Sequence, residues 1–159
     1  MEAEFEALKV LLDEKNVTYS VFTHEKVFTS EEAARVRGVP LSSGVKSMVV
    51  KSSERNTEGV SVGSGFFLVL VPGDRKIDFS KLNRARSLAS PEEVLRITGC
   101  EVGSVHPFGL LFGLRVFMDR RILDNKIVNF NPGLHDLSIS MDPKDLVDII
   151  HPEIGDYSK

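Results

Sequence analysis

The sequence Phe66-Phe67-Leu68-Val69-Leu70-Val71-Pro72-Gly73-Asp74 combines an unbroken apolar run with a turn. Because every residue from Phe66 to Val71 is apolar, both faces of a strand formed here must be covered by other elements. Proline, glycine and aspartate are typical turn residues, so the strand is expected to end at Val71. This stretch therefore predicts a central strand with structure packed on both of its faces.

Helices are predicted on either side of this strand in the sequence. They run from about Ala3 to Lys15, from Thr29 to Gly38, from Ser90 to Gly99 and from Asp142 to about Ile150. The first has apolar residues at amphipathic spacing. Thr29 and Glu32 have the pattern of a capping box, while Ser90 and Pro91 form a cap and a first helical position.

Further strands are predicted elsewhere in the sequence. They are predicted at Tyr19 to His24, Val45 to Lys51, around Val102, Val116 to Met118, Ile127 to Phe130 and Leu137 to Ser140. The polar, glycine-bearing stretch from Ser52 to Gly65 is predicted to be an exposed loop. Strands outnumber helices, and the helices are scattered between them. We therefore predict a mixed α/β (α+β) fold, with one curved mixed sheet or partly open barrel flanked by helices.

Length and composition favour one soluble domain over residues 1–159. The chain is 42% hydrophobic, which is enough to form a core without disulfides or metals. Its single cysteine, Cys100, cannot form an internal disulfide, and the acidic start lacks the pattern of a signal peptide. The longest apolar run falls well short of the roughly 20 residues of a membrane helix. We expect a cytoplasmic protein with no membrane partner.

Charge limits the nucleic acids that the chain can bind. A net charge of -3 and a pI near 5.8 argue against a broad basic surface for long nucleic acid, so DNA is not an expected partner. The densest basic stretch runs from Arg75 to Arg86. It is either a solvated loop with a short helix or a contact to an RNA backbone. Any RNA contact should therefore be local.

Lys46 is the most informative single residue. Strand alternation puts it on the same face as Met48 and Val50, and an unpaired ammonium on an apolar face is costly. Lys46 must therefore meet an anion in a cleft or, as the alternative, extend past the end of the strand into water.

A glycine-rich loop follows the third predicted helix, from Thr98 to Leu110. Glycine allows a ligand to approach the backbone, and Pro107 stiffens the loop, so its N–H groups could bind a carbonyl or an oxyanion. The alternative is an ordinary connection with a tight turn. His106 is a proton shuttle or only a hydrogen-bonding wall of such a site.

Other residues argue against two common hydrolase types. The histidines His24, His106, His135 and His151 lack zinc-ligand spacing, so no metal is expected. The motif G-x-S-x-G is absent, which leaves a serine hydrolase unsupported. The loop from Asn129 to Asp136 carries polar side chains at the end of a predicted strand and is either part of a site or a solvated connection.

Taken in order, these segments resemble the YbaK-type aminoacyl-tRNA deacylases, which are related to the insertion domain of bacterial prolyl-tRNA synthetase. The resemblance covers nearly the whole chain. It includes His24, Thr29 to Ala34, Lys46, Phe67 to Asp74, Glu92 to Val94, Thr98-Gly99, Gly103 to Leu110, the loop near Gly133, and Met141 to Leu146. The order and spacing of these segments carry the resemblance, and they imply the fold of that family.

The resemblance implies cofactor-free hydrolysis of the ester that joins an amino acid to the terminal adenosine of tRNA. Lys46 matches the family lysine that holds the aminoacyl-adenosine end, and Gly103 to Pro107 matches the loop around the amino acid, with Gly103, His106 and Pro107 placed in the catalytic set. The implied substrate-binding set is Phe22, His24, Ser104, Val105, Phe108, Gly109, Asn131, Gly133 and His135. The implied partners are the aminoacyl-tRNA acceptor end and prolyl-tRNA synthetase.

Three departures from the family pattern affect the expected substrate. His106 replaces a common serine or threonine, Phe22 replaces a tyrosine of some cysteinyl deacylases, and Asn131 replaces the histidine of an alanyl-specific Asn-x-His-Pro loop. We expect removal of a small residue from tRNA(Pro), alanine before cysteine or serine. The alternatives are a noncatalytic module that binds aminoacyl-tRNA or a synthetase, and a hydrolase of another activated carboxyl or nucleotide compound.

Overall fold

A computed structural model of the chain describes residues 2–52 and 65–159. Its helices are α1 (Glu2–Glu14), α2 (Ser30–Arg37), α3 (Pro91–Thr98) and α4 (Pro143–Ile150). Its strands are β1 (Tyr19–Thr23), β2 (Val45–Ser52), β3 (Phe66–Pro72), β4 (Ala85–Leu88), β5 (Val116–Asp119), β6 (Val128–Phe130), β7 (Leu137–Met141) and β8 (Glu153–Gly155). The predicted loop from Ser52 to Gly65 lies mostly outside the described residues.

The larger sheet has the order β4-β2-β3-β5-β8. β3 is antiparallel to β2 and parallel to β5, so the apolar stretch is the central strand. Leu68 and Leu70 belong to the larger apolar core, whereas Phe67, Val69 and Val71 belong to a smaller core on the opposite face. The prediction of a strand covered on both faces is confirmed.

The smaller sheet has the order β1-β7-β6 and is antiparallel throughout. A parallel bridge between Gly44 and Asn129 connects it to the start of β2. The mixed α/β class is confirmed, and the strands of the described residues form two separate hydrogen-bonded sheets rather than a closed barrel. The larger core joins α1, α3 and α4 to both sheets.

The predicted caps explain where the helices begin. Ser90 and Glu93 form a reciprocal capping box on α3, and Gly99 ends this helix with a positive φ of 72°. At α2, the Thr29 hydroxyl accepts a hydrogen bond from the Glu32 N–H. The Glu32 carboxylate contacts the same hydroxyl rather than the Thr29 N–H, so this box is only half formed.

Three elements differ from the sequence prediction. The strand expected around Val102 is absent, because residues 101–104 form a turn closed by a hydrogen bond from Ser104 N–H to the Glu101 carbonyl. Two edge strands, β4 and β8, were not predicted. None of the helices in the described ranges combines the length and the apolar character needed to cross a membrane.

Candidate active site

A cavity of about 340 Å³ lies between α2, β2 and the loop that follows α3. The predicted site residues Lys46, Gly103, Val105 and Asn131 line it together, although they lie far apart in the sequence. Phe28 also lines the cavity while 61% of its surface is exposed, so its ring lies at the rim. The fold therefore brings the predicted lysine and the predicted glycine-rich loop to one cleft.

The cavity has a positive wall. Arg37 and Lys46 are the charged residues that line it, and none of its described lining residues is an aspartate, glutamate or histidine. The rest of the wall is mainly apolar, with residues such as Val49 and Val94. A general base from a carboxylate or an imidazole is thus absent from the described lining, whereas an anion or a polarised carbonyl would be favoured there.

Lys46 is half-buried at the start of β2. Its ammonium donates a hydrogen bond to the Arg75 carbonyl, which leaves other N–H donors of the same ammonium available. Burial lowers the pKa of Lys46, and nearby Lys76 lowers it further, while Glu31 and Asp74 oppose the change. This lowered pKa agrees with the prediction that Lys46 lies on an apolar strand face, where the charged form of its side chain is disfavoured.

The loop after α3 has two backbone N–H groups without an internal partner, both on residues that line the cavity. Gly103 occupies the third position of the turn over residues 101–104 with a φ of 89°, a conformation that favours glycine. The N–H of Ser104 is used within this turn. The N–H groups of Gly103 and Val105 have no hydrogen-bond partner within the described part of the chain. Two unused donors next to the cavity match the predicted oxyanion-binding role.

His106 lies in the core rather than on the cavity wall. It is 1% exposed, its ring stacks on Phe112 at a centroid distance of 4.4 Å, and its Nδ1 atom accepts a hydrogen bond from the Phe108 N–H at 3.2 Å. Burial lowers the pKa of His106 to about 3, so the ring is neutral near pH 7. This placement disfavours a proton shuttle, and it puts the His106 ring behind the residues that line the cavity.

The neighbours of His106 also support the loop from behind. Pro107 is buried and its carbonyl accepts a hydrogen bond from Gly109. Phe108 is fully buried against Phe130. A Cβ atom on Gly109 would lie 2.4 Å from Val116 Cγ2, so only glycine fits there. These three residues, like buried Ser104, do not line the cavity; they hold in place the loop that does.

Asn131 and Gly133 tie the second predicted loop to the site. The Asn131 side-chain amide donates to the carbonyls of Leu134 and Leu137, and its oxygen accepts from Arg37 Nη2 at 3.2 Å. Gly133 donates its N–H to the Ser104 carbonyl at 2.8 Å. The polar atoms of Asn131 are therefore largely used in holding this loop and Arg37.

His24 reaches the cavity only through a chain of hydrogen bonds. Its Nδ1 lies 2.6 Å from the Glu25 carbonyl, which can only accept, so Nδ1 carries a proton. In neutral His24 the Nε2 atom then accepts from the Ser138 hydroxyl at 2.7 Å, and that hydroxyl accepts from Arg37 Nε at 2.7 Å. Phe22 packs near His24 and, like His24, does not line the cavity.

His135 supports the rim of the cavity. Its ring packs on Phe28 at a centroid distance of 4.5 Å, and its Nδ1 donates to the Val27 carbonyl. Its Cε1 atom lies 3.8 Å from the position of a Cβ atom on Gly103. His135 thus joins the exposed Phe28 ring to the glycine-rich loop without lining the cavity itself.

Several residues that line the cavity or hold its lining residues in place were not predicted from the sequence. Among them are Phe28, Arg37, Ser47 and Ser138. Arg37 follows the common pattern of a basic residue in the last turn of a helix, which favours a surface role. Ser47 lines the cavity, and its hydroxyl oxygen is enclosed without a hydrogen-bond partner among the described residues. The contact between Arg37 and Ser138 joins residues 101 positions apart, so no local pattern signals it.

A family model described as aminoacyl-tRNA editing domain matches residues 24–149. The chain belongs to this family. The match confirms the family resemblance found in the sequence. The chain is therefore an enzyme of the aminoacyl-tRNA deacylase class. The matched residues contain both walls of the cavity, from α2 to the loop near Gly133.

Individual relatives agree with this editing domain assignment. The chain is 30% identical over 158 residues to the multifunctional Ser/Thr-tRNA deacylase ProXp-y of Escherichia coli (strain K12), covering 96% of this chain and 91% of that protein. It is 34% identical over 100 residues to the proline--tRNA ligase of Azoarcus sp. (strain BH72), which is 59% of this chain and 17% of the ligase. Related domains therefore occur within prolyl-tRNA synthetases.

Solved structures share the fold of this editing domain. One is a candidate trans-editing enzyme for prolyl-tRNA synthetase, with a TM-score of 0.82 and 23% identity, covering 98% of this chain and 97% of that one. Another is the hypothetical protein APE2540, with a TM-score of 0.81 and 25% identity, covering 96% and 99%. Within residues 2–52 and 65–159 of the chain, no group of three or more His, Cys, Asp or Glu side chains is placed to hold a metal ion.

Proposed function

We propose that the chain is a trans-editing enzyme that hydrolyses the ester between a wrongly attached small amino acid and the terminal adenosine of a transfer RNA. The observation that carries this proposal is the shared cavity of Lys46 and the Gly103-to-Val105 backbone. The lysine supplies a positive charge for the acceptor end. The unused N–H groups supply donors for the negative charge that develops on the ester oxygen.

The chemistry needs no strong side-chain base. An aminoacyl ester is already activated, and the neighbouring ribose hydroxyl of the substrate can position or deprotonate the attacking water. The described lining of the cavity holds no carboxylate and no imidazole. This composition agrees with a mechanism in which the substrate hydroxyl, rather than a protein side chain, activates the water. The chain then mainly orients the ester and stabilises the charge of the tetrahedral intermediate.

The proposed substrate is tRNA(Pro) carrying a small wrong amino acid, with the acceptor end as the RNA contact and prolyl-tRNA synthetase as a possible partner. The similarity to proline--tRNA ligases supports this choice of tRNA. Alanine before cysteine or serine stays the prediction from the sequence. The rigid Gly103-to-Pro107 loop supports a size limit, because a packed wall excludes the larger proline ring more readily than a smaller residue.

A second candidate is a preference for serine or threonine. The relative from Escherichia coli is named a Ser/Thr-tRNA deacylase. Ser47 also lines the cavity, and its enclosed hydroxyl lacks a partner among the described residues. A small shift of this side chain toward the cavity would let it bond a hydroxyl on the amino acid. This candidate keeps the same reaction and changes only the ranking of the amino acids.

The test is hydrolysis of tRNA(Pro) charged separately with labelled alanine, serine, threonine, cysteine or proline at equal enzyme concentration. We expect first-order loss of the ester for the small residues and negligible loss for proline. Binding of every charged tRNA without hydrolysis would instead support a noncatalytic module. Comparable release of proline would overturn the editing role.

A further inference from the structure

Arg37 is a charged residue of the cavity without a charged partner. It lies at the end of α2 and is half-buried, and no carboxylate lies within ion-pair distance of it among residues 2–52 and 65–159. Arg35, two positions earlier, shows the usual arrangement instead: it is exposed and pairs with Glu25 at 3.0 Å. Burying a guanidinium without an anion costs free energy of folding, so the position of Arg37 suggests that an anion binds there.

The neighbours of Arg37 use only part of its donor set. Of the five N–H groups of a guanidinium, one on Nε donates to Ser138 and one on Nη2 donates to Asn131. Both N–H groups of Nη1 and the second of Nη2 have no partner in the described residues. Three N–H groups, including both of Nη1, are thus left to donate to an anion.

The unused edge of Arg37 lies beside the cavity. Nη1 is 3.6 Å from the position of a Cβ atom on Gly44, and both residues line the cavity. Burial lowers the pKa of Arg37 to about 10, which still leaves the side chain protonated near pH 7. Arg37 therefore presents a positive charge and the unused donors of Nη1 to a ligand that enters the cavity.

The chemistry of the acceptor end identifies the matching group. The amino acid brings an ammonium and an ester, and neither carries a negative charge, so the phosphates are the anions of this substrate. We propose that Arg37 is a second phosphate-binding residue of the cavity and that, together with Lys46, it holds a phosphate of the terminal nucleotides. The inference rests on the proposed function, because it takes the acceptor end as the ligand. Two cations in one cavity also direct the ammonium of the amino acid away from this wall.

The competing explanation is that Arg37 only fastens α2 to the Ser138 strand and the Asn131 loop. Two variants separate the explanations. Arg37→Gln removes both the charge and the fastening hydrogen bonds. Gly44→Ala leaves the bonds to Ser138 and Asn131 intact and places a methyl group next to Nη1; the backbone of Gly44, with φ -75° and ψ 141°, accepts alanine.

The experiment measures binding of two non-hydrolysable probes, 3′-alanylamido-adenosine with and without a 5′-phosphate. Wild-type protein should bind the phosphorylated probe more tightly. Arg37→Gln should reduce that preference by about tenfold or more and Gly44→Ala by about threefold, whereas the exposed control Arg35→Gln should leave it unchanged. The probe without phosphate should bind all four proteins alike. Thermal unfolding midpoints establish that each variant is folded.

Equal losses for both probes in Arg37→Gln, with no effect of Gly44→Ala, would show that Arg37 is only structural and would overturn the proposal. Competition by inorganic phosphate without any preference between the probes would show a site for the free ion and would also overturn it. Deacylation by the wild-type protein is assayed separately. If that activity is present and the phosphate preference is absent, this inference fails alone; if the activity is absent, the proposed function fails.

Discussion

The Nε atom of Arg37 lies 2.7 Å from the Oγ atom of Ser138, and this contact joins the last turn of α2 to β7. Ser138 is completely buried, so its hydroxyl has no access to water as a substitute partner. The same oxygen lies within hydrogen-bond distance of His24 Nε2. One buried hydroxyl therefore fixes the direction of a guanidinium that faces the cavity.

Ser138→Ala is expected to weaken both stability and substrate binding. The change leaves donors on Arg37 and an acceptor on His24 without their shared partner, which costs about 1–3 kcal/mol in the free energy of unfolding. Because Arg37 loses its orientation, kcat/KM should fall about tenfold, mainly through KM. Urea unfolding and single-turnover deacylation measure the two effects. The control Ser20→Ala, an exposed serine on β1, should change neither quantity; a neutral Ser138→Ala would contradict the role of this contact.

Lys46→Ala is expected to abolish most deacylation while the fold remains intact. A charged hydrogen bond to the substrate contributes about 2 kcal/mol, so kcat/KM should fall by about 30-fold or more. Among the described residues, this substitution removes one hydrogen bond of the Lys46 side chain, the bond to the Arg75 carbonyl. Lys51→Ala is the matched control, because Lys51 lies on the same strand and pairs with Glu93 at the surface. A folded Lys46→Ala protein with wild-type activity would refute the assignment of the site.

Much of this fold could be predicted because local signals agree with the final packing. Ser90, Pro91 and Gly99 bound α3 as their types predict, and the apolar run at Phe66 forms the central strand. The edge strands β4 and β8 were missed because their residues are mostly exposed and show no apolar alternation. Val102 was wrongly placed in a strand, since Gly103 after it stabilises a turn.

The site could be predicted only where a residue type is unusual in its local pattern. Lys46 breaks an apolar strand face and Gly103 needs a positive φ, so both stand out in the sequence. Arg37 and Ser138 are ordinary residues of a helix end and a strand, and only their contact across the fold gives them a role. His106 was placed in the catalytic set by the resemblance of the Gly103-to-Pro107 loop to the family, and its ring packs into the core.

The pH dependence of stability should contain a contribution from His106. Its pKa is about 3 in the folded chain against an ordinary value of 6.5, so the unfolded chain binds the extra proton between these values. The stabilising contribution is therefore complete above about pH 6.5 and decreases as the pH falls toward 3. The free energy of unfolding, measured with urea at pH values from 4 to 7, should rise less steeply with pH in His106→Phe than in the wild type.

The control for this prediction is His151→Asn. His151 is exposed and adopts a positive φ at the end of α4, a conformation that asparagine accepts. In this variant the free energy of unfolding should change with pH as steeply as in the wild type. An NMR titration in which the His106 ring signals move between pH 5 and 8 would contradict the buried, neutral assignment.

Binding of uncharged tRNA should weaken with salt only gradually. Two cations line the cavity, and in the basic stretch from Arg75 to Arg86 the Arg75 side chain bonds to Ser158 and Lys81 pairs with Asp156. If the RNA contact is confined to the cavity, few phosphates are neutralised, and a plot of log Kd against log salt should have a slope of about 2–3. Fluorescence anisotropy across a range of NaCl concentrations gives the slope. A slope above about 6 would indicate an extended RNA-binding surface instead.

Ser47 provides the sharpest test of amino acid selectivity. Ser47 lines the cavity, and its hydroxyl oxygen is enclosed without a partner among the described residues. Ser47→Ala removes this unsatisfied group, so the free energy of unfolding should stay unchanged or rise by about 1 kcal/mol. If serine and threonine are the preferred residues, Ser47→Ala should slow their release from tRNA(Pro) by about tenfold and leave alanine release unchanged. If alanine is preferred, as the Asn129-to-Pro132 loop predicts, the wild type should release alanine fastest and Ser47→Ala should keep that order. First-order rates for each charged tRNA at equal enzyme concentration decide between the two rankings, and equal slowing of all amino acids by Ser47→Ala would show that Ser47 selects none of them.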